Sequence, residues 1–314
     1  MGIFNFSKKF TAVNLSFDYF TTVKGMKKGN SFFLEGYEYT RFDDYVFEPN
    51  FKGFSIKNRD KVKAVIDNHM STAGIKNKNI SLVIPEQAIK VMVLPFENFP
   101  SNNDEARDVL VWKLKNIYGP EIENFNISFQ DFKNTKENID YVLIGLANQK
   151  TINEITELFS QFDINLVKIE IPSLSIYNIF DSRLHAYGEG DYYFVTFTSN
   201  SINIMLFEGY YPVFYRSTSL MKSPILIEDD IFEEIIQALR VSILYNEENR
   251  RGKVVNQIYF FGDALKKQAM EETLLKKLGE NYVFTCLNLR DEIEFLCEYR
   301  DVRHVIAPAI GILF

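Results

Sequence analysis

Phe10-Thr-Ala-Val-Asn-Leu-Ser16 and Tyr192-Tyr-Phe-Val-Thr-Phe197 are the two stretches on which the fold turns. Both are short, apolar and rich in β-branched or aromatic residues, the composition of a strand. Each opens the same succession. After the first, the pattern predicts a strand over 19–23, a Gly/Lys/Asn turn over 24–30 and an aromatic strand over 31–39. A helix over 60–73 follows, with Val62, Val65, Ile66, Met70 and Ala73 at helical spacing. Gly74 stands where that helix stops, and a strand over 80–84 ends at Pro85. After the second stretch come strands over 202–207 and 213–216, joined by a turn at Glu208-Gly209. A helix over 231–244 carries Ile231, Phe232, Ile235, Ile236, Leu239 and Ile243 on one face, and a strand over 257–261 closes the set. Strand–strand–strand–helix–strand occurs twice. The expectation is a duplicated α/β unit with a cleft between the halves.

Between the halves lies an organised stretch. Strands are predicted over 88–94, 125–132, 141–146 and 166–169. A helix over 104–118 carries Ala106, Leu110, Leu114 and Ile117 on one stripe, and Ile152, Ile155, Leu158, Phe159 and Phe162 mark another. Pro172 opens a further helix. This reads as an α+β subdomain inserted at about 86–165. No Pro-rich or low-complexity linker separates the parts, so packed domains are expected.

Composition narrows the class. The 314 residues hold 35 Lys+Arg and 42 Asp+Glu, a formal charge of −7, with 29 Phe and 17 Tyr. Aromatics at that density argue against disorder, and the acidic balance argues against nonspecific nucleic-acid binding. No apolar run reaches the roughly 18–20 residues needed to span a bilayer. The first nine residues contain no signal-peptide apolar region, and Phe6 stands where a myristoylation signal needs Ser or Thr. Two cysteines, Cys286 and Cys297, and three separated histidines, His69, His185 and His304, form no zinc ladder and suit a reducing compartment. A cytoplasmic protein is expected. The 15 glycines are about 5% of the chain against an average near 7%.

Candidates for chemistry are few. No G-x-S-x-G, H-E-x-x-H or Walker-type loop is present. Glu228, Asp229, Asp230, Glu233 and Glu234 read as the macrodipole complement of a helix start rather than a metal cage. Trp112 reads as a core or subdomain contact, and His304 as a local hydrogen-bonding group. The basic clusters 24–28 and 250–253 read as solvated turns. That leaves the turns ending the first strand of each half. In a duplicated fold with a nucleotide between its halves, such turns face phosphate, Gly permits close approach, and Asp holds the magnesium shell.

The order of motifs along the whole chain resembles the PilM-type proteins of type IV pilus assembly, within the actin/Hsp70/sugar-kinase superfamily. It is also similar to FtsA in its insert and to the cytoplasmic part of GspL secretion proteins. The stretches that carry the resemblance are Lys8-Lys-Phe-Thr-Ala-Val-Asn-Leu-Ser16, Leu82-Val-Ile-Pro85 with Val93-Leu-Pro-Phe96, Asp108-Val-Leu-Val-Trp-Lys113, residues 147–169, Ile258-Tyr-Phe-Phe-Gly-Asp-Ala264 and Ile306-Ala-Pro-Ala-Ile-Gly-Ile-Leu313. The resemblance implies a duplicated actin-like (ribonuclease H-like) ATPase fold with an FtsA-like inserted α+β subdomain. Its parts would be a first subdomain over 1–85 completed by about 166–187, an insert over 86–165, and a second subdomain over 188–314.

It also implies a cytoplasmic scaffold, peripheral at the inner membrane, that binds the N-terminal tail of an inner-membrane PilN-like partner between the first subdomain and the insert. A cytoplasmic motor ATPase or platform protein, and self-association, are further partners it implies. Departures from the family fall on the nucleotide site. Asn14-Leu15-Ser16 and Thr196-Phe197-Thr198 stand where the family has Asp-Ile-Gly, and Gly262-Asp263 replaces a Gly-Gly-rich adenosine loop. Neutral residues cannot neutralise a metal–triphosphate, and a Cβ obstructs backbone approach. The expectation is therefore a degenerate nucleotide site at Asn14, Ser16, Asp18, Thr196, Thr198, Gly262 and Asp263, with no cofactor, no metal and no catalysis. The competing expectation is an active ATPase holding ATP with Mg in a remodelled pocket, where Asp18 supplies a displaced carboxylate.

Overall fold

The structure is a computed structural model. It describes residues 8–28, 31–50, 53–72, 75, 78–134, 138–186, 190–198, 201–220, 228–250, 253–262, 267–279, 281–297 and 303–314. The first half opens with three antiparallel strands, β1 (Lys8–Leu15), β2 (Tyr19–Lys28) and β3 (Ser31–Arg41). A hairpin of β4 (Phe47–Asn50) and β5 (Gly53–Ile56) leads to α1 (Arg59–Thr72) and β6 (Asn79–Val83). The insert holds β7 (Ile89–Phe96), α2 (Asn103–Tyr118), β8 (Phe125–Asn134) and β9 (Ile139–Asn148). Then come α3 (Gln149–Ser160), β10 (Asn165–Glu170) and α4 (Pro172–Ala186).

The second half repeats the plan with β11 (Tyr192–Thr198), β12 (Ser201–Glu208), β13 (Tyr211–Ser219), α5 (Glu228–Asn249), β14 (Gln257–Gly262), α6 (Lys267–Leu278) and β15 (Val283–Cys286). A short β16 (Ile293–Phe295) and α7 (Arg303–Gly311) end the chain.

Sheet order proves the duplication. The first sheet runs β10-β6-β1-β2-β3-β16, and the second runs β13-β12-β11-β14-β15. In each, the first strand is antiparallel to the second and parallel to the strand after the first helix. The register agrees residue by residue: Asn14 faces Thr21, and Thr196 faces Asn203, at matching positions of the two hairpins. The sixth strand of the first sheet, β16, comes from the far end of the chain and lies parallel to β3. Three residues are too few for periodicity to reveal, so sequence reading missed this exchange.

Each sheet buries both faces, and its first strands read as near-continuous apolar runs for that reason. Val13, Leu15, Phe20, Leu82 and Ile84 pack outward against Val62 and Ile66 of α1 and Ile155, Leu158 and Phe159 of α3. The repeat makes α3 the counterpart of α6, although it closes the stretch read from sequence as the insert. Tyr193, Val195 and Ile258 pack outward against Ile235, Ile236, Leu239 and Ile243 of α5. The two inner faces share one interior. Ala12, Val23 and Leu34 from the first sheet, and Phe194, Met205 and Phe261 from the second, meet around α4 and α7. The insert keeps its own small core, where Ala106, Leu110 and Leu114 of α2 cover Val142, Ile144 and Leu146 of β9. Asn102 caps α2, its Oδ1 accepting the N–H groups of Asp104 and Glu105 at 2.9 and 3.2 Å.

Several sequence expectations need correction. Residues 24–28 are not a turn but the end of β2, paired on both sides as far as Lys27 with Lys8 and Phe32. Amphipathic alternation is weak there because lysines stand at paired strand positions. Arg250 is not a solvated turn residue. It pairs with Asp191 at 3.1 Å and with Glu208, and its side chain is 13% exposed. Trp112 is no core contact, being 68% exposed. It lies two residues from Leu110, about 200° round the helix from the buried stripe. The acidic run at 228–230 does open α5, as the dipole reading requires, and Glu233 pairs with Lys277. Gly209 holds a turn at φ 56°. Gly74, Gly252 and the His304 side chain lie outside the described residues.

Gly311 decides how closely α4 and α7 approach. A Cβ built on it would stand 1.8 Å from the Ser175 carbonyl oxygen. Gly311→Ala should therefore cost at least about 3 kcal/mol in urea unfolding, since backbone must move to admit one carbon. Gly36→Ala, with nothing within 4 Å of the new Cβ, should change stability by less than about 0.5 kcal/mol.

Candidate functional site

The turns predicted to face phosphate sit at the ends of β1 and β11, on the faces turned to the shared interior. Alternation along the strand puts Asn14 and Ser16 on the side of Ala12, and Thr196 and Thr198 on the side of Phe194. Hairpin register then places Thr21 and Tyr19 beside the first pair and Asn203 and Ser201 beside the second. The structure thus brings the predicted residues into two equivalent clusters.

Each cluster is buried and internally bonded. Asn14 is 1% exposed, and its Nδ2 donates to the Tyr19 hydroxyl at 3.1 Å and to the Val305 carbonyl of α7 at 3.5 Å. The Ser16 N–H donates to the Tyr19 carbonyl at 2.9 Å and closes the hairpin. On the other side, Asn203 Nδ2 donates to Thr196 Oγ1 at 3.3 Å and to Ser201 Oγ at 3.2 Å. The Thr198 and Ser201 hydroxyls share a bond of 2.8 Å. Thr196 is fully buried and Thr198 nearly so. An Asn–Thr cross-strand pair occupies the same register position in both halves, with the two residue types exchanged between strands.

The chemistry of these clusters is specific. Both amide nitrogens are engaged by the protein. Asn14 Oδ1, Asn203 Oδ1 and Thr21 Oγ1 are buried without a hydrogen-bond partner among the described residues. Two of these three atoms are pure acceptors. A phosphate oxygen is also an acceptor, so the groups left over meet it with like polarity. Asn14, Ser16, Thr196 and Thr198 carry no carboxylate. Asp18 lies in the first hairpin turn, half-buried, and its carbonyl accepts the Phe42 N–H at 2.7 Å. Gly262 ends β14, but the space beside it is taken: a Cβ there would meet the Phe260 ring at 2.6 Å and Phe197 Cβ at 3.0 Å. Asp263 lies outside the described residues.

Sequence reasoning passed over two buried titratable groups. His69 of α1 is 1% exposed, with Nδ1 3.0 Å from Thr22 Oγ1 and Nε2 2.7 Å from Thr40 Oγ1. Burial holds it below the ordinary imidazole range, against an opposing pull from Glu38. The other is Glu86, 2% exposed at the entry to the insert. Its signal in sequence was a charged residue directly after the apolar 80–85 run. Among the described residues, no helix is long and apolar enough to cross a membrane.

No family model matches this sequence, and no curated protein matches it. Solved structures share its fold. A chain of a PilM-PilN type IV pilus biogenesis complex superposes with TM-score 0.77 at 13% identity, over 96% of this chain and 97% of its own. Cyto-EpsL, the cytoplasmic domain of an inner-membrane component of the Vibrio cholerae type II secretion system, gives TM-score 0.50 at 6% identity, over 96% and 95%. A Bacteroides thetaiotaomicron protein of unknown function with an actin-like ATPase fold gives 0.49 at 14%, over 91% and 92%. The duplicated α/β fold with an insert, expected from the order of motifs, is the fold of this chain, and the chain of the PilM-PilN complex shares it.

The second cluster generates a prediction. Asn203→Ala should cost about 1–2 kcal/mol, because buried hydroxyls lose their amide donor. Combined with Thr196→Val, the loss should be less than the sum of the single effects by at least about 0.5 kcal/mol, measured as a urea-unfolding double-mutant cycle. Additive costs would dissolve the pair.

Proposed function

We propose that the chain is a scaffold of a type IV pilus or related secretion-like machine, which recognises a short cytoplasmic segment of a PilN-like inner-membrane partner without using nucleotide. The observation that carries this reading is the likeness, over nearly the full length of both chains, to a chain of the PilM-PilN complex. A retained insert with its own core supports it further. The nucleotide half of the proposal draws support from the strand-end clusters. Both amide nitrogens are engaged by the protein, two of the three unpaired buried atoms are pure acceptors, and Asn14, Ser16, Thr196 and Thr198 carry no carboxylate. Magnesium-ATP needs the opposite: a carboxylate for the metal shell and free N–H groups for the phosphates. Cytoplasmic location at the membrane surface, contact with a motor ATPase or platform protein, and self-association belong to the same proposal.

A second reading keeps the chain an ATPase. Asp18, half-buried beside the end of β1, is the observation that favours it. Calorimetry separates the two. The scaffold reading expects a dissociation constant for magnesium-ATP weaker than about 1 mM. Micromolar binding that Asp18→Ala abolishes would replace it with the ATPase. For the partner, the test is capture by an immobilised peptide copied from the cytoplasmic N-terminus of the membrane protein encoded next to this chain. Saturable capture with a dissociation constant of micromolar order is expected, and none at millimolar peptide would overturn the scaffold reading.

A further inference from the structure

Glu86 begins the 3-10 turn Glu86–Ala88 that joins β6 to the insert. Its carboxylate is held from two other regions of the chain. Ser173, in the first turn of α4, donates its hydroxyl to Oε1 at 2.5 Å and its backbone N–H to Oε2 at 3.1 Å. Tyr215 of β13 donates its phenol to the same Oε1, and the two hydroxyls lie 3.1 Å apart. One buried side chain therefore fastens the base of the insert, the start of the central helix and the edge strand of the second sheet. β13 also runs beside β7 and meets β8 and β9, so the fastened strand is the one on which the insert rests.

Two tendencies oppose each other at this carboxyl. Three donors and the positive end of α4 suit an ionised acid. Complete removal from water suits a neutral one. The charged and titratable groups around it are Glu170 at the end of β10, Lys168 and Tyr215. Glu170 is paired with Lys168 at 3.6 Å and accepts the Ile171 N–H at 3.4 Å. It repels a charge on Glu86 and offers none to neutralise it.

We propose that Glu86 is a proton-operated clasp. Protonated, it closes β13 onto the base of the insert and the start of α4; ionised, it draws water and lets β13 withdraw. Burial pushes Glu86 up to about 7, with Ser173 and Tyr215 pulling the other way and Glu170 adding to the rise. The folded value lies above the unfolded value of 4.5. The stabilisation is therefore complete below 4.5 and is lost as pH rises through about 7. His69 works in the opposite sense. It is held neutral in the fold, so its contribution is present above 6.5 and is lost as pH falls below it. The clasp is thus read as the difference between the protein and a Glu86 variant. The inference holds whatever the chain binds.

The test begins with carbon-13-labelled glutamate, following the Glu86 carboxyl resonance by its absence from E86Q. A midpoint near 7 is expected, and one at the ordinary value near 4.5 would overturn the clasp. Tyr215→Phe removes a donor that favours the ionised form and should move the midpoint to higher pH. An unmoved midpoint would also count against it. The second arm is hydrogen exchange, corrected for intrinsic rate, between pH 5.5 and 8. Protection should fall at β13 and residues 86–90 while β11 and β12 keep theirs, and E86Q should show no such change. Protection lost evenly over the sheet would mean ordinary destabilisation and no clasp. The folding equilibrium should weaken by roughly 30-fold more in the protein than in E86Q over that range. Should E86Q fail to fold, a glutamate resonance with a midpoint near 7 that Tyr215→Phe moves to higher pH both identifies Glu86 and sustains the clasp, and the lack of any such resonance overturns it.

Discussion

Everything else in the structure depends on how closely α4 and α7 come together. The two helices fill the space between two sheets, and Gly311 lies against the Ser175 backbone with no room for a side chain. If the helices stood farther apart, the inner faces of both sheets would separate, exposing the Ala12, Leu34, Phe194 and Phe261 layer to water. Burial of apolar area at about 25 cal/mol per Å² makes such a layer the dominant cohesive term. Because the layer belongs to both halves at once, neither half has a complete core of its own. β16 adds a covalent reason for the same unity, since a strand from the C-terminal region completes the edge of the N-terminal sheet.

That shared interior explains why the strand-end clusters look as they do. Positions on the inner face near the end of a first strand must either line an open cleft or be satisfied by the protein. Here an Asn and a Thr face each other across each hairpin, and α7 presents the Val305 carbonyl to the first pair. The exchange of Asn and Thr between strands preserves volume and hydrogen-bonding capacity while changing which strand carries which group. Duplication survives here as geometry: Asn203 bonds Thr196 directly, whereas Asn14 bonds Tyr19 and Val305 and Thr21 Oγ1 has no partner among the described residues. The modest shortage of glycine acquires a location by the same route. Gly209 remains where a positive φ is needed, whereas the Ser16 N–H closes its hairpin on the Tyr19 carbonyl and the Thr198 hydroxyl bonds that of Ser201.

Repetition was legible because two independent periodicities, 2 for strands and 3.6 for helices, recurred in the same order. Pairing register was not legible, and register is what shows Asn14 and Thr196 to be equivalent. The errors share a physical origin. Lys24, Lys27 and Lys28 suggested a turn because charge looks like solvent, yet a strand end can carry lysines whose stems lie along the sheet and whose heads reach water. Arg250 misled in the opposite way, since its partners Asp191 and Glu208 are distant in sequence and only the fold assembles them. Trp112 reads as a core or subdomain contact because it lies between the polar and apolar stripes of its helix, yet the fold leaves it on the outer side. Glu86 showed in sequence only as a charge after an apolar run, because its partners Ser173 and Tyr215 lie far along the chain.

The placement of Glu86 bears on how an inserted subdomain can communicate with the rest of such a fold. The insert branches from the first half, between β6 and α3, but it rests on β13 of the second. A ligand on the insert can shift the relation between the halves only if it binds their two arrangements with different free energy. An arrangement supplies that difference when the contact between insert and second half is strong in one state and costly in the other. Apolar packing alone is a poor candidate, because it weakens gradually with separation. A buried carboxyl with three donors behaves otherwise, since charge, desolvation and hydrogen bonds change together when water enters. The junction at Glu86, Ser173 and Tyr215 is therefore a place where a small displacement of the insert changes charge, desolvation and hydrogen bonding at once.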